Sequence, residues 1–123
     1  MESVRISVPL RFNMSNCIFC KIASGEIPSE FLYADEKVVA FRDLDPQGPF
    51  HILIIPKEHF TSIKDISDES LIGHLFKTGN RIAEENNIKD FRYIINTGEE
   101  AGQTVFHVHL HLIGGRMMAW PPG

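Results

Sequence analysis

Cysteine is scarce in this chain, with two in 123 residues, Cys17 and Cys20. That excludes a small fold stapled by a disulfide framework. Long apolar runs are missing as well: nothing approaches the roughly 18 consecutive apolar residues of a membrane span. Positive charge is in deficit, Lys plus Arg numbering 12 against 16 Asp plus Glu for a net charge of −4. A basic footprint for polymeric nucleic acid or an anionic membrane is therefore not expected. No internal repeat or low-complexity tract is visible. Residues 1–14 contain Glu2, Arg5, Pro9 and Arg11 and no apolar signal core, and read as a loose extension. A cytoplasmic protein is expected, present also in the nucleus if the source is eukaryotic.

What is present is an ordinary globular balance of 43% hydrophobic and 23% charged residues, enough for one domain over residues 15–123. Lys21 to Ile27 predicts a short helical turn halted by Gly25 and Pro28, and Glu30 to Tyr33 with Val38 to Arg42 a hairpin. Two prolines and a glycine make Asp43 to Pro49 a long turn. Phe50 to Ile55 is a central strand, and Ser67 to Asn87 carries Leu71, Ile72, Leu75, Phe76, Ile82 and Ala83 at helical spacing. Phe91 to Asn96 and Thr104 to Ile113 complete five strands around one long helix. The connections are short, so an α+β fold with a mainly antiparallel sheet is expected, the helix on one face.

Chemistry concentrates in two places. The first is Cys17-x-x-Cys20, a spacing that suits a metal or a redox pair where no secretion signal is present. The second is His107-Val108-His109-Leu110-His111. On a strand these histidines project from one face, and Phe106, Val108, Leu110 and Leu112 from the other. His107 and His111 then stand roughly 13 Å apart and cannot share one ion at about 2.0–2.1 Å. A nucleotide or phosphate is the better client, because the preceding loop, Asn96 to Thr104, has glycines that let backbone N–H groups turn toward an anion. The isolated His59 and His74 read as solvated or core-satisfied residues and not as ligands.

His107-Val108-His109-Leu110-His111-Leu112-Ile113 resembles the signature of the histidine triad (HIT) superfamily, and the resemblance extends to its Hint branch. It is carried also by Cys17 to Ile22, Glu26-Ile27-Pro28, Phe41-Arg42-Asp43, His51 to Lys57, Gly102 to Val105, and the tail Gly114-Gly115-Arg116 with Trp120 to Gly123. Ala101, Thr104 and Arg42 stand where that branch often has glycine, serine and histidine.

The resemblance implies a HIT-like fold, a homodimer, and hydrolysis of purine nucleoside 5′-phosphoramidates, with a dinucleoside polyphosphate hydrolase or a nucleotide-binding regulatory or scaffold protein as the alternatives. It assigns His109 as nucleophile, the His107 carbonyl as its proton acceptor, and His111 and His51 as further members of the catalytic group. It places Phe19, Ile22, Phe41, Asp43, Leu44, Asn96, Gly102, Gln103, Thr104 and Trp120 around the nucleotide of AMP or GMP type. It also implies a structural zinc ion on Cys17, Cys20, His51 and His107.

Overall fold

The computed structural model describes residues 16–123, so the extension expected over residues 1–14 lies outside the described residues. Helix α1 (Ile18–Ser24) begins earlier than expected. The Cys17 Sγ accepts the Cys20 N–H at 3.4 Å and so caps the first turn, a role that sequence spacing does not announce. Gly25, at φ 85°, closes the helix in the left-handed conformation.

Strands β1 (Phe31–Ala34), β2 (Val38–Arg42) and β3 (Phe50–Pro56) follow, then a 3-10 turn at Ile63–Asp65 and helix α2 (Glu69–Glu85). Strand β4 (Phe91–Ile94), a second 3-10 turn at Glu99–Ala101 and strand β5 (Leu110–Gly114) complete the chain. The sheet order is β1-β2-β3-β5-β4, every neighbouring pair antiparallel. The expected five-stranded α+β architecture with one long and one short helix is thus the observed one.

Alternation along the central strands assigns the two faces. Val38 and Ala40 of β2, Ile52 and Ile54 of β3, and Leu110 and Leu112 of β5 pack with Leu71, Leu75, Ile82 and Ala83 of α2. The opposite residues, Val39, Phe41, Leu53 and Ile55, pack with Phe19 and Ile22 of α1. His51 and His111 share the parity of this second set, so the sheet presents them on the α1 side. Among the described residues, no helix is long and apolar enough to cross a membrane.

One expected element is much shorter than its sequence pattern. Residues 104–109 are not a strand, and β5 begins only at Leu110. The last pair of the β3–β5 ladder is Ile54 with Leu110. The next residue in register on β3 to face this chain is Pro56, which has no N–H to give, so the ladder stops there. Val108 still packs into the α2 core, but Phe106 is exposed and does not join that face.

Candidate functional site

Among the described residues, two groups of potential donor atoms lie on the α1 side of the sheet. The first brings together Cys17, Cys20, His59 and His107, whose ligand atoms all lie within 4.8 Å of one another. His107 Nδ1 is 3.4 Å from Cys17 Sγ and 3.6 Å from Cys20 Sγ, and His59 Nδ1 is 3.3 Å from Cys20 Sγ. No disulfide joins the cysteines.

This arrangement corrects the expected metal quartet. His51 is not in it, and His59, which the sequence pattern does not mark as a ligand, takes its place. His107 Nε2 donates to the Pro56 carbonyl at 2.9 Å, which anchors the cluster at the Pro56 end of β3. His51 sits at the other end of that strand, about 16 Å away at roughly 3.3 Å per residue. The only signal for His59 in the sequence was its place just after Pro56, which becomes informative once the β3–β5 register is known.

The donor set fits a metal ion. The Pro56 carbonyl requires the His107 proton on Nε2, so Nδ1 turns a lone pair toward the two sulfurs. The Cys17 thiol is lowered to about 3 by its hydrogen bond with Cys20, helped by His107 and the Cys20 N–H and opposed by burial. Two thiolates and two imidazoles make a closed, soft tetrahedral set.

The second group is Asp43, His51 and His111. Here the protons can be assigned from a backbone donor. Gln47 N–H donates to His51 Nδ1 at 2.9 Å, so that nitrogen is unprotonated and the neutral ring carries its proton on Nε2. His51 Nε2 lies 2.9 Å from His111 Nδ1, which must accept, leaving the His111 proton on Nε2. Asp43 Oδ2 stands 3.4 Å from the same His51 Nε2. Because that nitrogen bears the proton, it has no lone pair for a metal, and the first group is the better candidate centre.

His109 lies between the groups. Its Nδ1 is 2.8 Å from the His107 carbonyl oxygen, which can only accept, so the His109 proton is on Nδ1 and the lone pair on Nε2. The Phe19 ring meets His109 edge-on with centroids 5.1 Å apart, and the His109 and His111 rings are 5.0 Å apart. Burial, the leading cause, holds the pKa of His51, His109 and His111 below the ordinary imidazole value. For His111 it reaches about 4, with the neighbouring His109 and His51 adding repulsion and Asp43 opposing. The face is therefore built of neutral imidazoles at pH 7, each with a defined tautomer.

This bears on stability. The unfolded His111 protonates near about 6.5 and the folded one only near about 4. Between those values the unfolded chain binds the extra proton, so acidification across this window destabilises the fold. Thermal midpoints measured from pH 7 to 4 should fall less steeply in His111→Gln than in the natural chain.

The other expected site residues are distributed unevenly. Phe19, Ile22 and Phe41 are buried together beside the histidines, with Phe19 and Phe41 in edge contact at 5.8 Å. Asn96 stands next to Gly102, where an added Cβ would lie 3.9 Å from the Asn96 carboxamide. Thr104 is exposed, and Gln103 is buried. Leu44 and Trp120 are exposed at 98% and 82%.

A family model described as "scavenger mRNA decapping enzyme C-term binding" matches residues 16–119, the segment that holds both donor groups and the three ordered histidines. The chain belongs to the histidine triad superfamily. Among solved histidine triad structures, the HIT family hydrolase of Legionella pneumophila is 44% identical with a TM-score of 0.84, covering 88% of this chain and 100% of that one. The 14 kDa zinc-binding protein of Zea mays is 42% identical over 128 aligned residues, 100% of both chains. The Arabidopsis thaliana protein named adenylylsulfatase HINT1 is 46% identical over 114 residues, 89% of this chain and 78% of that protein.

Proposed function

We propose that this histidine triad protein hydrolyses the P–N bond of purine nucleoside 5′-phosphoramidates. The observation that carries the reading is His109, whose Nδ1–H is given to the His107 carbonyl at 2.8 Å. Its Nε2 is thereby a neutral, pre-oriented nucleophile. That nitrogen attacks the α-phosphorus, a nucleotidyl-histidine forms, and the amine departs with the bonding electron pair and takes a proton. Water then breaks the P–Nε2 bond and releases the nucleoside monophosphate. His111, with its proton on Nε2, donates to a phosphate oxygen, and His51 maintains that tautomer through the 2.9 Å bond.

In this reading Asp43 accepts from the ribose hydroxyls, while Phe19, Ile22, Phe41 and Leu44 flank the purine. Asn96 and the main chain of Gly102 to Thr104 serve the phosphate, with the Thr104 hydroxyl near the leaving group. Zinc occupies Cys17, Cys20, His59 and His107 as a structural ion, a reading supported by the name of the maize relative. The protein works as a cytoplasmic homodimer, and the exposed Trp120 belongs to a tail that reaches the partner's leaving-group pocket. The name of the Arabidopsis relative favours adenylyl sulfate as a second substrate, since the same nucleophile serves a P–O bond to sulfate.

The test is AMP release, followed by chromatography, from adenosine 5′-phosphoramidate, adenylyl sulfate and a dinucleoside polyphosphate. Release fastest from the phosphoramidate is expected. Preference for adenylyl sulfate or for the polyphosphate would replace the leaving-group assignment, and AMP binding without release from any substrate would replace catalysis with nucleotide binding alone.

A further inference from the structure

The segment from Thr104 to His109 has no place in a sheet or helix, yet His107, Val108 and His109 are all buried. Backbone so placed needs partners from elsewhere. Val108 N–H finds the Phe60 carbonyl at 2.8 Å, the His107 carbonyl meets His109 Nδ1 at 2.8 Å, and the Val105 carbonyl is met by a side chain from the preceding loop. Gln103, 4% exposed, donates from Nε2 to the Thr61 carbonyl at 2.7 Å and to the Val105 carbonyl at 3.2 Å. Its Oε1 accepts the Gly98 N–H at 2.9 Å, and its own N–H donates to the Gly98 carbonyl at 3.0 Å.

The partners leave no choice of amide orientation. Two carbonyls must face the nitrogen and an N–H must face the oxygen. Both carboxamide protons are thereby used. The side chain's one unused capacity is an oxygen lone pair, which a phosphate oxygen would repel. A direct side-chain contact with a nucleotide phosphate has no donor left to make it, so any contact of Gln103 with the nucleotide falls to other atoms of the residue.

We infer that Gln103 is a positioning residue, whose carboxamide clips together the segments at Gly98, Thr61 and Val105 and so presents the His107 carbonyl to His109. This deepens the proposed function and rests on it only where turnover is concerned. The clip lies between three stretches with separate duties: the turn after His59, the glycine loop, and the histidine segment. Val105 is two residues before His107, whose carbonyl oxygen holds the His109 proton. Gly98 adopts φ 91°, a conformation that glycine tolerates and other residues rarely do, so the carboxamide holds the loop at the point where it turns. Glutamine alone among the coded side chains combines two donors and an acceptor at this reach. Asparagine is one methylene short, and glutamate keeps the shape but loses both donors.

The test uses the metal-replete full chain without nucleotide. In the natural protein the Gly98 amide should exchange with solvent about a hundredfold more slowly than the amides of the exposed Glu99 and Glu100, because its acceptor is buried. Equal exchange would overturn the clip with no variant needed. In Gln103→Glu, the His109 imidazole ¹⁵N resonances should move from a single Nδ1–H tautomer toward a mixture. Its kcat should fall about tenfold or more while AMP affinity changes less than about threefold. A side chain that merely touched substrate would leave the ligand-free His109 resonances unchanged, and one that only supported the fold would lower the melting temperature without changing the tautomer. Either result overturns the inference. Absence of phosphoramidate turnover in the natural protein would refute the proposed reaction and leave the exchange and resonance results decisive for Gln103.

Discussion

His109→Ala is expected to lower kcat for adenosine 5′-phosphoramidate by at least about 10⁴-fold while AMP still binds. The size follows from the kind of group removed. Deleting a hydrogen-bond donor weakens one interaction in the transition state, whereas deleting the nucleophile removes the route through a covalent intermediate. No neighbour can substitute. His111 has its Nδ1 lone pair engaged by His51 and its proton on Nε2, and His107 has its free lone pair turned toward the cysteines. AMP affinity should change by less than about tenfold, since the His109 Nε2 is a neutral acceptor that gives an anionic phosphate no donor. Rates come from AMP release, and AMP affinity from calorimetry. A variant with turnover within tenfold of the natural protein would remove His109 as the nucleophile.

His111→Gln should behave differently, because it retains a donor and loses only the constrained geometry supplied by His51. That contrast depends on protons assigned by backbone groups, and backbone groups are what a sequence pattern conceals. The alternation at Val108, Leu110 and Leu112 was legible because those side chains do enter the α2 core. It suggested a strand from Thr104, yet pairing depends on the partner, and β3 ends at Pro56. Strand β2, by contrast, occupies Val38–Arg42 as the pattern predicts, because neighbours on both sides continue its ladder.

The metal quartet shows the same limit. Cysteine spacing and the triad made Cys17, Cys20 and His107 legible as candidates. Choosing between His51 and His59 required the direction and register of β3 against β5. Ile54 faces Leu110, and continuing that register brings His107 toward the Pro56 end, where His59 follows. His51, paired with Ile113, belongs to the opposite end. The sequence marked Gln103 as a candidate only, and its engagement of three backbone segments was hidden, since backbone groups leave no mark in sequence.

Removal of the metal should therefore divide the histidines cleanly. His59→Ala and Cys17→Ser are expected to reduce the zinc content of the purified protein to well below one per chain, whereas His51→Ala retains it. Elemental analysis checks this, and equal zinc loss in His51→Ala and His59→Ala would contradict the assigned quartet. The consequence should extend beyond the ion. Helix α1 has seven residues, too few to persist alone, and its first turn is capped by the Cys17 sulfur. Metal bonds to Cys17 and Cys20 would tie this turn to His59, on the turn after β3, and to His107, on the segment that follows the glycine loop. Losing that tie by about 3 kcal/mol lowers the melting temperature by roughly 10 °C for a domain of this length. Helix α1 also carries Phe19, whose ring meets both His107 and His109. The metal-free protein should consequently show faster amide exchange through α1 and weaker AMP binding, with its central strands still protected. Phe19→Ala in the metal-replete protein should reproduce the weaker AMP binding without the zinc loss. If it binds AMP as the natural chain does, the helix is only a cover for the metal cluster and takes no part in shaping the nucleotide site.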